Sequence, residues 1–236
     1  VIAVTDVLSG LNATIGILAA VEARHRTGRG QHIDIALLDS IVQFGANQIA
    51  TYFITGKQPK RVGNAHVNLA PYQSFKTADG YMIVGAGNDG QWRKLCEAMG
   101  APDMAFRPEY LEMKDRNAHR PQLVRDMEAI LTRHPTQHWL DTFASLGIPH
   151  APINTYDQVF AHPQVQHRSL RLDMQRPSDQ GGGKVAMVAS PIRMSDTPVT
   201  YRHAPPVKGS STEAILLDVL GKTAAEAQAL RDQGVV

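Results

Sequence analysis

The sequence predicts an α/β protein whose helices and strands fall into two parts, joined by a polar segment. Apolar residues recur at three- and four-residue steps between Leu8 and Val21, which predicts a helix. The following segment HIDIA alternates with period two, which predicts a strand. Residues 57–70 are polar and include glycine and proline, so we place a domain boundary there.

The first part is predicted to begin with an extended segment and to continue as two helices. Val1–Val4 is apolar and β-branched, which indicates a strand, and Ser9 is a candidate cap for the helix that follows. Basic residues crowd the end of this helix, where they favour the helix dipole, and Gly28 terminates it. A second helix is predicted from about residue 37 to 54, ending at Gly56.

The second part is predicted to combine short strands with helices. The dipeptide Asp79-Gly80 between the apolar runs SFKT and YMIVGA is a strong hairpin signal. The remaining predicted elements are helices at about 90–99, 116–134 and 136–146, a strand at HAPIN, a helix at TYDQVFAH, strands at LRLDM and VAMVASPIRM on either side of the turn Gly181–Gly183, and helices at about 211–220 and 223–233.

Composition and charge are those of an ordinary globular protein. Of the 236 residues, 43% are hydrophobic and 19% are charged, and a net charge of +2 is too near neutral to attract nucleic acid or a membrane. No uninterrupted apolar run reaches the ~18 residues of a membrane span. The single cysteine, Cys96, rules out an intramolecular disulfide and lies in an apolar pattern that favours a core position. We therefore expect a cytoplasmic protein without nucleic-acid or membrane partners.

The segment VTDVLSG supplies the first candidate for chemistry, Asp6. It is placed between a predicted strand and the start of a helix, where backbone N–H groups can hold and orient a carboxylate. The alternative is that Asp6 is only an N-terminal cap or a first-turn acid. Spacing alone leaves both interpretations open.

The segment GAGNDG, Gly85–Gly90, matches the pattern G-x-G-x-x-G of dinucleotide-binding turns. That fingerprint also needs a second strand ending in an acidic residue about 20 residues on, and residues 105–115 do not read as a strand. We therefore interpret GAGNDG as a tight strand-to-helix turn with Asn88 or Asp89 as the cap.

Two of the ten histidines, His134 and His138, have the i, i+4 spacing of a zinc pair. A zinc site would need a third ligand, and Pro135 interrupts the helix between them, so the two side chains need not share a face. Surface or capping roles are favoured, and no metal site is predicted.

The stretch VTDVLSGLNATIGILAAVEARHRTGRGQHIDIALLDS resembles the central segment of family III CoA-transferases, the CaiB/BaiF type. The resemblance continues through TGKQPKRVGNAHVNLAPYQSFKTADGYMIVGAGNDGQW, GIPHAPINTYDQVFAHPQV and VASPIRMSDTPVTYRHAPPVKG. Each motif is modest alone, but their occurrence in the family's order is specific. Together they cover essentially the whole chain.

The resemblance implies an architecture. Residues 1–56 are expected to belong to a Rossmann-like large domain, residues 57–70 to a linker and active-site loop, residues 71–190 to a smaller α+β domain, and residues 191–236 to a return to the large domain. Family members form interlocked homodimers, so the same assembly is expected. The apolar start at Val1, without methionine, indicates that an N-terminal portion of the fold is missing.

The resemblance also implies the chemistry. Asp6 matches the catalytic carboxylate, which attacks an acyl-CoA thioester and then carries CoA as an aspartyl thioester to an acceptor acid. CoA enters as a substrate, with a succinyl-CoA-like donor expected, so no separate cofactor and no metal are implied. The loop GNAHVNLAPY resembles the family's active-site segment, so Gly63, Asn64, His66 and Asn68 are expected to bind substrate, with a plain linker as the alternative.

Two other functions stay open at this point. An α-methylacyl-CoA racemase or epimerase shares the fold and would use Asp6 with a histidine from the N-terminal half as an acid–base pair. The segments NLAPYQSF and GNDGQW favour the transferase branch. Alternatively, the chain is an inactive fragment that acts only in assembly, and we expect the fragment alone neither to bind CoA well nor to turn over.

Overall fold

The computed structural model describes residues 2–178 and 181–236. The chain divides into two compact units, which we call unit 1 (Val1–Asn68) and unit 2 (Leu69–Val236). The boundary between them falls inside the polar segment 57–70. The finer division of the chain into four segments stays a prediction.

Unit 1 contains α1 (Val4–Thr27), α2 (Leu37–Phe44) and α3 (Ala46–Thr55). The predicted ends of its first and last helices are confirmed. Gly28 and Gly56 both adopt the left-handed conformation, with φ of 70° and 65°. Their N–H groups bond to helix carbonyls one turn back, which closes each helix as glycine does most readily.

The predicted strand and cap at the start of the chain are wrong over the described residues. Ala3 is the N-cap residue of α1, and Val4 is already helical. Ser9 therefore lies inside the helix, where its hydroxyl donates to the carbonyl of Thr5 at 2.8 Å instead of accepting from a backbone N–H. Val1 lies outside the described residues.

The predicted strand HIDIA is also wrong, because residues 31–36 pair with no other strand within unit 1 over its described residues. These residues run against α1 instead. A Cβ added to Gly16 would lie 3.2 Å from a methyl carbon of Ile33 and 4.0 Å from one of Ile35. The period-two pattern therefore reflects an extended segment packed on a helix, since a strand also needs a hydrogen-bonded partner.

The predicted single helix of residues 37–54 is divided between α2 and α3 at Gly45. Its N–H bonds to Val42, three residues back, and the next residue, Ala46, has a φ of 32°. A positive φ cannot continue a right-handed helix, so the chain starts a new one. Asn12 holds α2 to α1 through hydrogen bonds to Ser40 (3.1 Å) and Gln43 (3.2 Å).

The surface of α1 is largely apolar and open. The helix has 24 residues, all within the described part, and none of them is buried. Its length, and a mean hydropathy of 1.6 over its most apolar 18 residues, are sufficient for crossing a membrane, as they also are in core helices of other proteins. The absence of a membrane partner stays a prediction.

Unit 2 is built on an antiparallel sheet in the order β1 (Tyr72–Lys76), β2 (Tyr81–Gly85) and β3 (His150–Pro152). The Asp-Gly hairpin is confirmed, with Tyr72 opposite Gly85 and Lys76 opposite Tyr81. A second hairpin pairs β4 (Arg171–Gln175) with β5 (Lys184–Val188). The two predicted strands are confirmed, but the second ends at Val188, six residues before the predicted end at Met194.

Helices and short turns make up most of the rest of unit 2 over the described residues. They are α4 (Asp89–Ala98), 3-10 turns at Pro102–Phe106 and Pro108–Tyr110, α5 (Met113–Ala118), α6 (Arg120–Leu131), α7 (Thr136–Ser145), α8 (Tyr156–Ala161), α9 (Pro163–His167), α10 (Thr212–Ala214) with a π turn at Ile215–Val219, and α11 (Ala224–Asp232). The predicted helix at about 116–134 is thus two helices. Pro121 enforces the break, because its ring and missing N–H are tolerated only in a first turn.

The core of unit 2 lies between the sheet and α4, α6 and α7. Leu123, Met127 and Leu131 repeat every four residues on α6 and are fully buried. Trp92 packs edge-on against Tyr110, with ring centroids 6.2 Å apart. The predicted core position of Cys96 is confirmed, because its side chain is also fully buried.

A carboxylate joins the first hairpin to α7. Asp79, in the turn between β1 and β2, accepts hydrogen bonds from the backbone N–H and the hydroxyl of Thr136, both at 2.7 Å. These two bonds, the backbone one foremost, lower the pKa of Asp79 below its ordinary value of 3.8. The hairpin turn therefore caps the N-terminus of α7.

We predict that this contact makes unfolding pH-dependent. Because the pKa of Asp79 is lower in the folded state, the contact stabilises fully above about pH 4 and is lost as pH falls through the native pKa. In urea titrations from pH 7 to pH 2, the stability advantage of wild type over Asp79→Asn should shrink in the acid range. Thr136→Val keeps the N–H donor, so the pH dependence of its unfolding free energy should lie between those of wild type and Asp79→Asn. If the unfolding free energies of wild type and Asp79→Asn change in parallel with pH, the linkage is contradicted.

Candidate functional site

Asp6 lies in the first turn of α1, three residues after the N-cap. Its side chain is exposed in this chain. The backbone N–H groups of the first helical turn carry partial positive charge and have no acceptor one turn back within the helix. The residue is thus a first-turn acid with an accessible carboxylate, which is the local geometry that a nucleophile requires.

A shallow cavity of about 330 Å³ opens beside the same end of α1. Its walls are Leu8, Asn12, Ser40, Gln43, Phe44 and Ala46. Leu8 and Asn12 share one face of the helix, and Asp6 lies about 200° around the axis from Leu8. Asp6 therefore does not line this cavity.

The segment Gly63–Asn68, which we call the site loop, has only turns and bends. Gly63 has a φ of 64°, which glycine adopts without strain. The backbone N–H of Asn68 donates to Nδ1 of His66 at 3.1 Å. In the neutral ring this assigns the proton to Nε2, so His66 can act as a donor through that atom.

The structure brings some of the predicted residues together. His66 and Asn68 share the hydrogen bond just described, and Gly63, Asn64, His66 and Asn68 are all exposed. Asp6 belongs to a different part of unit 1. Its position beside the site loop in the working protein stays a prediction.

Sequence reasoning missed the residues that hold the end of the site loop. Nε of Arg116 donates to the carbonyl of Ala70 at 2.8 Å, and Nη2 of Arg120 donates to the carbonyl of Leu69 at 3.0 Å. The available signal was the i, i+4 spacing of two arginines in the stretch RNAHR. Arginine is seldom fully buried, so this spacing alone does not indicate a structural role.

The GAGNDG segment is a strand-to-helix turn, as interpreted from the sequence. The side chain of Asn88 caps α4 by accepting from the N–H of Gln91 at 2.9 Å. Asp89 begins the helix and bonds to Arg116 instead of capping. The neighbours of β2 are antiparallel, so the βαβ unit of a dinucleotide site is not formed here.

The side chains of His134 and His138 lie closer together than the intervening proline suggested. The rings of His134 and His138 stack with centroids 4.2 Å apart, although Pro135 stands between them in the chain. Over residues 2–178 and 181–236, no group of three or more His, Cys, Asp or Glu side chains is arranged to hold a metal ion.

Comparison with known proteins places this fold and these motifs in a family. The model of CoA-transferase family III matches residues 1–212. The chain belongs to the CoA-transferase family III. The match begins before Asp6 and runs through both units.

Named relatives extend this comparison. The chain is 37% identical over 225 residues to the succinate–glutarate CoA-transferase of Agrobacterium fabrum, covering 94% of this chain and 56% of that protein. It is 36% identical over 219 residues to the human succinyl-CoA:glutarate CoA-transferase, covering 93% and 49%. The chain thus spans about half the length of these relatives.

A solved structure agrees with the fold. A CaiB/BaiF family protein from Brucella suis superposes with a TM-score of 0.77 at 37% identity. The match covers 92% of this chain and 56% of that one. The mixed helix-and-sheet architecture of the family is therefore confirmed.

The burial of Cys96 leads to a prediction about thiol chemistry. Burial raises the pKa of the Cys96 thiol to about 12, so almost no thiolate forms near neutral pH. A disulfide reagent at pH 8 should react at least ~100-fold more slowly with the folded chain than with the chain unfolded in guanidinium. Fast labelling of the folded chain would contradict the burial, whereas slow labelling allows released CoA to be measured with thiol reagents.

Proposed function

We propose that this chain forms part of a CoA-transferase in which Asp6 carries CoA between two carboxylic acids. The proposal is supported by family membership and by one structural observation, the accessible carboxylate in the first turn of α1. A carboxylate at this position faces the partial positive charge of the helix N-terminus. The first turn of α1 contains no basic side chain that would form a salt bridge with it.

The first half of the reaction converts a thioester into an enzyme thioester. The Asp6 carboxylate attacks the acyl-CoA carbonyl, which forms a mixed anhydride and expels CoA thiolate. The thiolate then attacks the aspartyl carbonyl, which forms an aspartyl-CoA thioester and releases the donor acid as a carboxylate. One thioester is broken and one is formed, so the free energy of the bond is retained.

The second half runs these steps with the acceptor acid. Its carboxylate attacks the aspartyl thioester, which gives a new mixed anhydride and CoA thiolate. The thiolate attacks the acceptor's carbonyl, which forms the new acyl-CoA and restores the Asp6 carboxylate. Both anhydrides survive only where water is excluded.

The site loop is proposed to lie against the reacting acyl group. In the neutral ring of His66, Nε2 carries the proton, because Nδ1 accepts from the N–H of Asn68. An N–H donor of this kind stabilises the negative charge that develops on a carbonyl oxygen during each attack. Asn64 and Asn68 offer amide donors on the same loop.

Dicarboxylic acids are the proposed substrates. The relatives from Agrobacterium fabrum and Homo sapiens are named as succinate or succinyl-CoA and glutarate transferases. Donor and acceptor of this class differ in chain length but share two carboxylates. We therefore propose succinyl-CoA as donor and a five-carbon dicarboxylate as acceptor, in a cytoplasmic homodimer.

The test is chemical trapping of the aspartyl thioester. Hydroxylamine added after succinyl-CoA should convert Asp6 to a hydroxamate, which peptide mass spectrometry locates. Asp6→Asn lacks the nucleophile, so it should give no hydroxamate and lose at least about 10³-fold in transfer rate. The measurement is made on this chain and on any longer form of the protein that turns over, and trapping at Asp6 in either form supports the proposal.

Asp39→Asn is the matched control. Asp39 lies in the first turn of α2, also three residues after an alanine N-cap, and is likewise exposed. Its substitution perturbs a helix terminus in the same way, so trapping at Asp6 should persist. Trapping that survives in Asp6→Asn would contradict the proposal. Racemisation at an α-carbon that bears a methyl group, without any trapped adduct, would indicate the acid–base alternative.

A further inference from the structure

We propose that Arg116 is a positioning residue for the transferase reaction, because it fixes Ala70, the second residue after the site loop. The inference rests on the proposed role of the site loop. It goes beyond that role by naming the group that sets the loop's geometry, and that group lies 46 residues further along the chain from Ala70.

The guanidinium of Arg116 is completely buried and almost fully used. Nε donates to the carbonyl of Ala70 at 2.8 Å, Nη1 to that of Tyr110 at 2.9 Å, and Nη2 to Oδ1 of Asp89 at 2.6 Å. Its side chain is 0% exposed, whereas that of Asp89 is 46% exposed. A buried cation is tolerated only when its donors are matched in this way.

The bond from Arg116 to Ala70 holds the segment that directly follows the site loop, which we call the loop exit. Ala70 follows Asn68 by two residues and is fully buried. Its N–H also donates to the sulfur of Met113 at 3.2 Å, and the carbonyl of Leu69 accepts from Arg120. The two residues directly after the loop are thus tied to α5 and α6 by both their carbonyls and one N–H.

The same guanidinium also holds the turn before α4. Asp89 is the first residue of that helix, and the guanidinium carbon of Arg116 lies 5.4 Å from the ring centre of Trp92 on the same helix. Because the guanidinium is planar and rigid, a movement of this turn alters the bond to Ala70. Arg116 therefore couples the loop exit to the GNDGQW segment.

Lysine cannot reproduce this arrangement. Its ammonium places three donors on one atom, whereas Arg116 reaches acceptors in separate directions from three nitrogen atoms. An ammonium paired with Asp89 would leave the carbonyl of Ala70 without its buried donor. Arg116→Lys therefore retains the charge while releasing the loop exit.

The experiment compares Arg116→Lys with wild type by hydrogen exchange and steady-state kinetics. Exchange in a peptide spanning residues 60–70 should rise roughly tenfold, while the β1–β2 hairpin keeps its protection. In the gene product that turns over, kcat should fall about 10²-fold while KM for succinyl-CoA changes by less than about threefold, because a displaced loop misaligns the reacting groups. Circular dichroism verifies that the variant is folded.

Two further variants separate positioning from general stability. Arg107→Lys alters a half-exposed pair with Asp126 in the same unit and should leave both measurements unchanged. Asp89→Asn keeps an acceptor oxygen for Arg116, so it should fold more readily than Arg116→Lys. It should show a smaller rise in exchange of residues 60–70 and a smaller fall in kcat than Arg116→Lys. Equal loosening of the loop and the hairpin, or an unchanged loop and kcat in Arg116→Lys, would overturn the inference.

The outcomes for the two proposals are distinguishable. If wild type forms no hydroxamate at Asp6, the proposed function fails, and the exchange data alone decide whether Arg116 anchors the loop. If wild type traps normally but Arg116→Lys exchanges and turns over like wild type, the positioning role fails and the transferase function stands.

Discussion

The complete burial of the Arg116 guanidinium is the constraint on which the arrangement of unit 2 depends. A buried cation must find acceptors, and here they come from the segment before β1, from the turn at Tyr110 and from the first residue of α4. These elements are distant in sequence, so their relative positions are fixed by one side chain. The hydrophobic core that includes Trp92 packs against this polar centre, with the guanidinium carbon 5.4 Å from the Trp92 ring centre.

Unit 1 is organised differently, and the difference bears on chemistry. Its helix α1 contacts the rest of the unit through hydrogen bonds of Asn12 and a close approach at Gly16, and none of its residues, all of them described, is buried. Storing a thioester on Asp6 requires that water be excluded. In the proposed mechanism the chain supplies the nucleophile and its helix terminus, while the dry environment depends on surfaces brought against α1 by substrate or by further polypeptide.

Local signals in the sequence predicted those parts of the fold that local physics decides. The Asp79-Gly80 hairpin and the left-handed glycine after α1 depend on backbone preferences within a few residues, and both were read correctly. The prediction for HIDIA was wrong because alternating apolar and polar residues indicate an extended segment with one face packed and one face exposed. They do not indicate whether another strand pairs with it. The break at Gly45 was missed because no residue type near it forbids a continuous helix.

The residues of the candidate site show the same difference between local and distant signals. Asp6 was predicted from a family resemblance that the contiguous motif VTDVLSG carries, and its role as nucleophile stays a prediction. Arg116 was missed because its role depends on Ala70 and Asp89, which approach it only after folding. Burial of a charge is thus invisible in the sequence until its acceptors are known, and such residues control geometry without touching substrate. The functional side chains of a loop follow one another in the sequence, so a motif can identify them. The position of the loop, however, depends on residues distant in sequence that fix its ends.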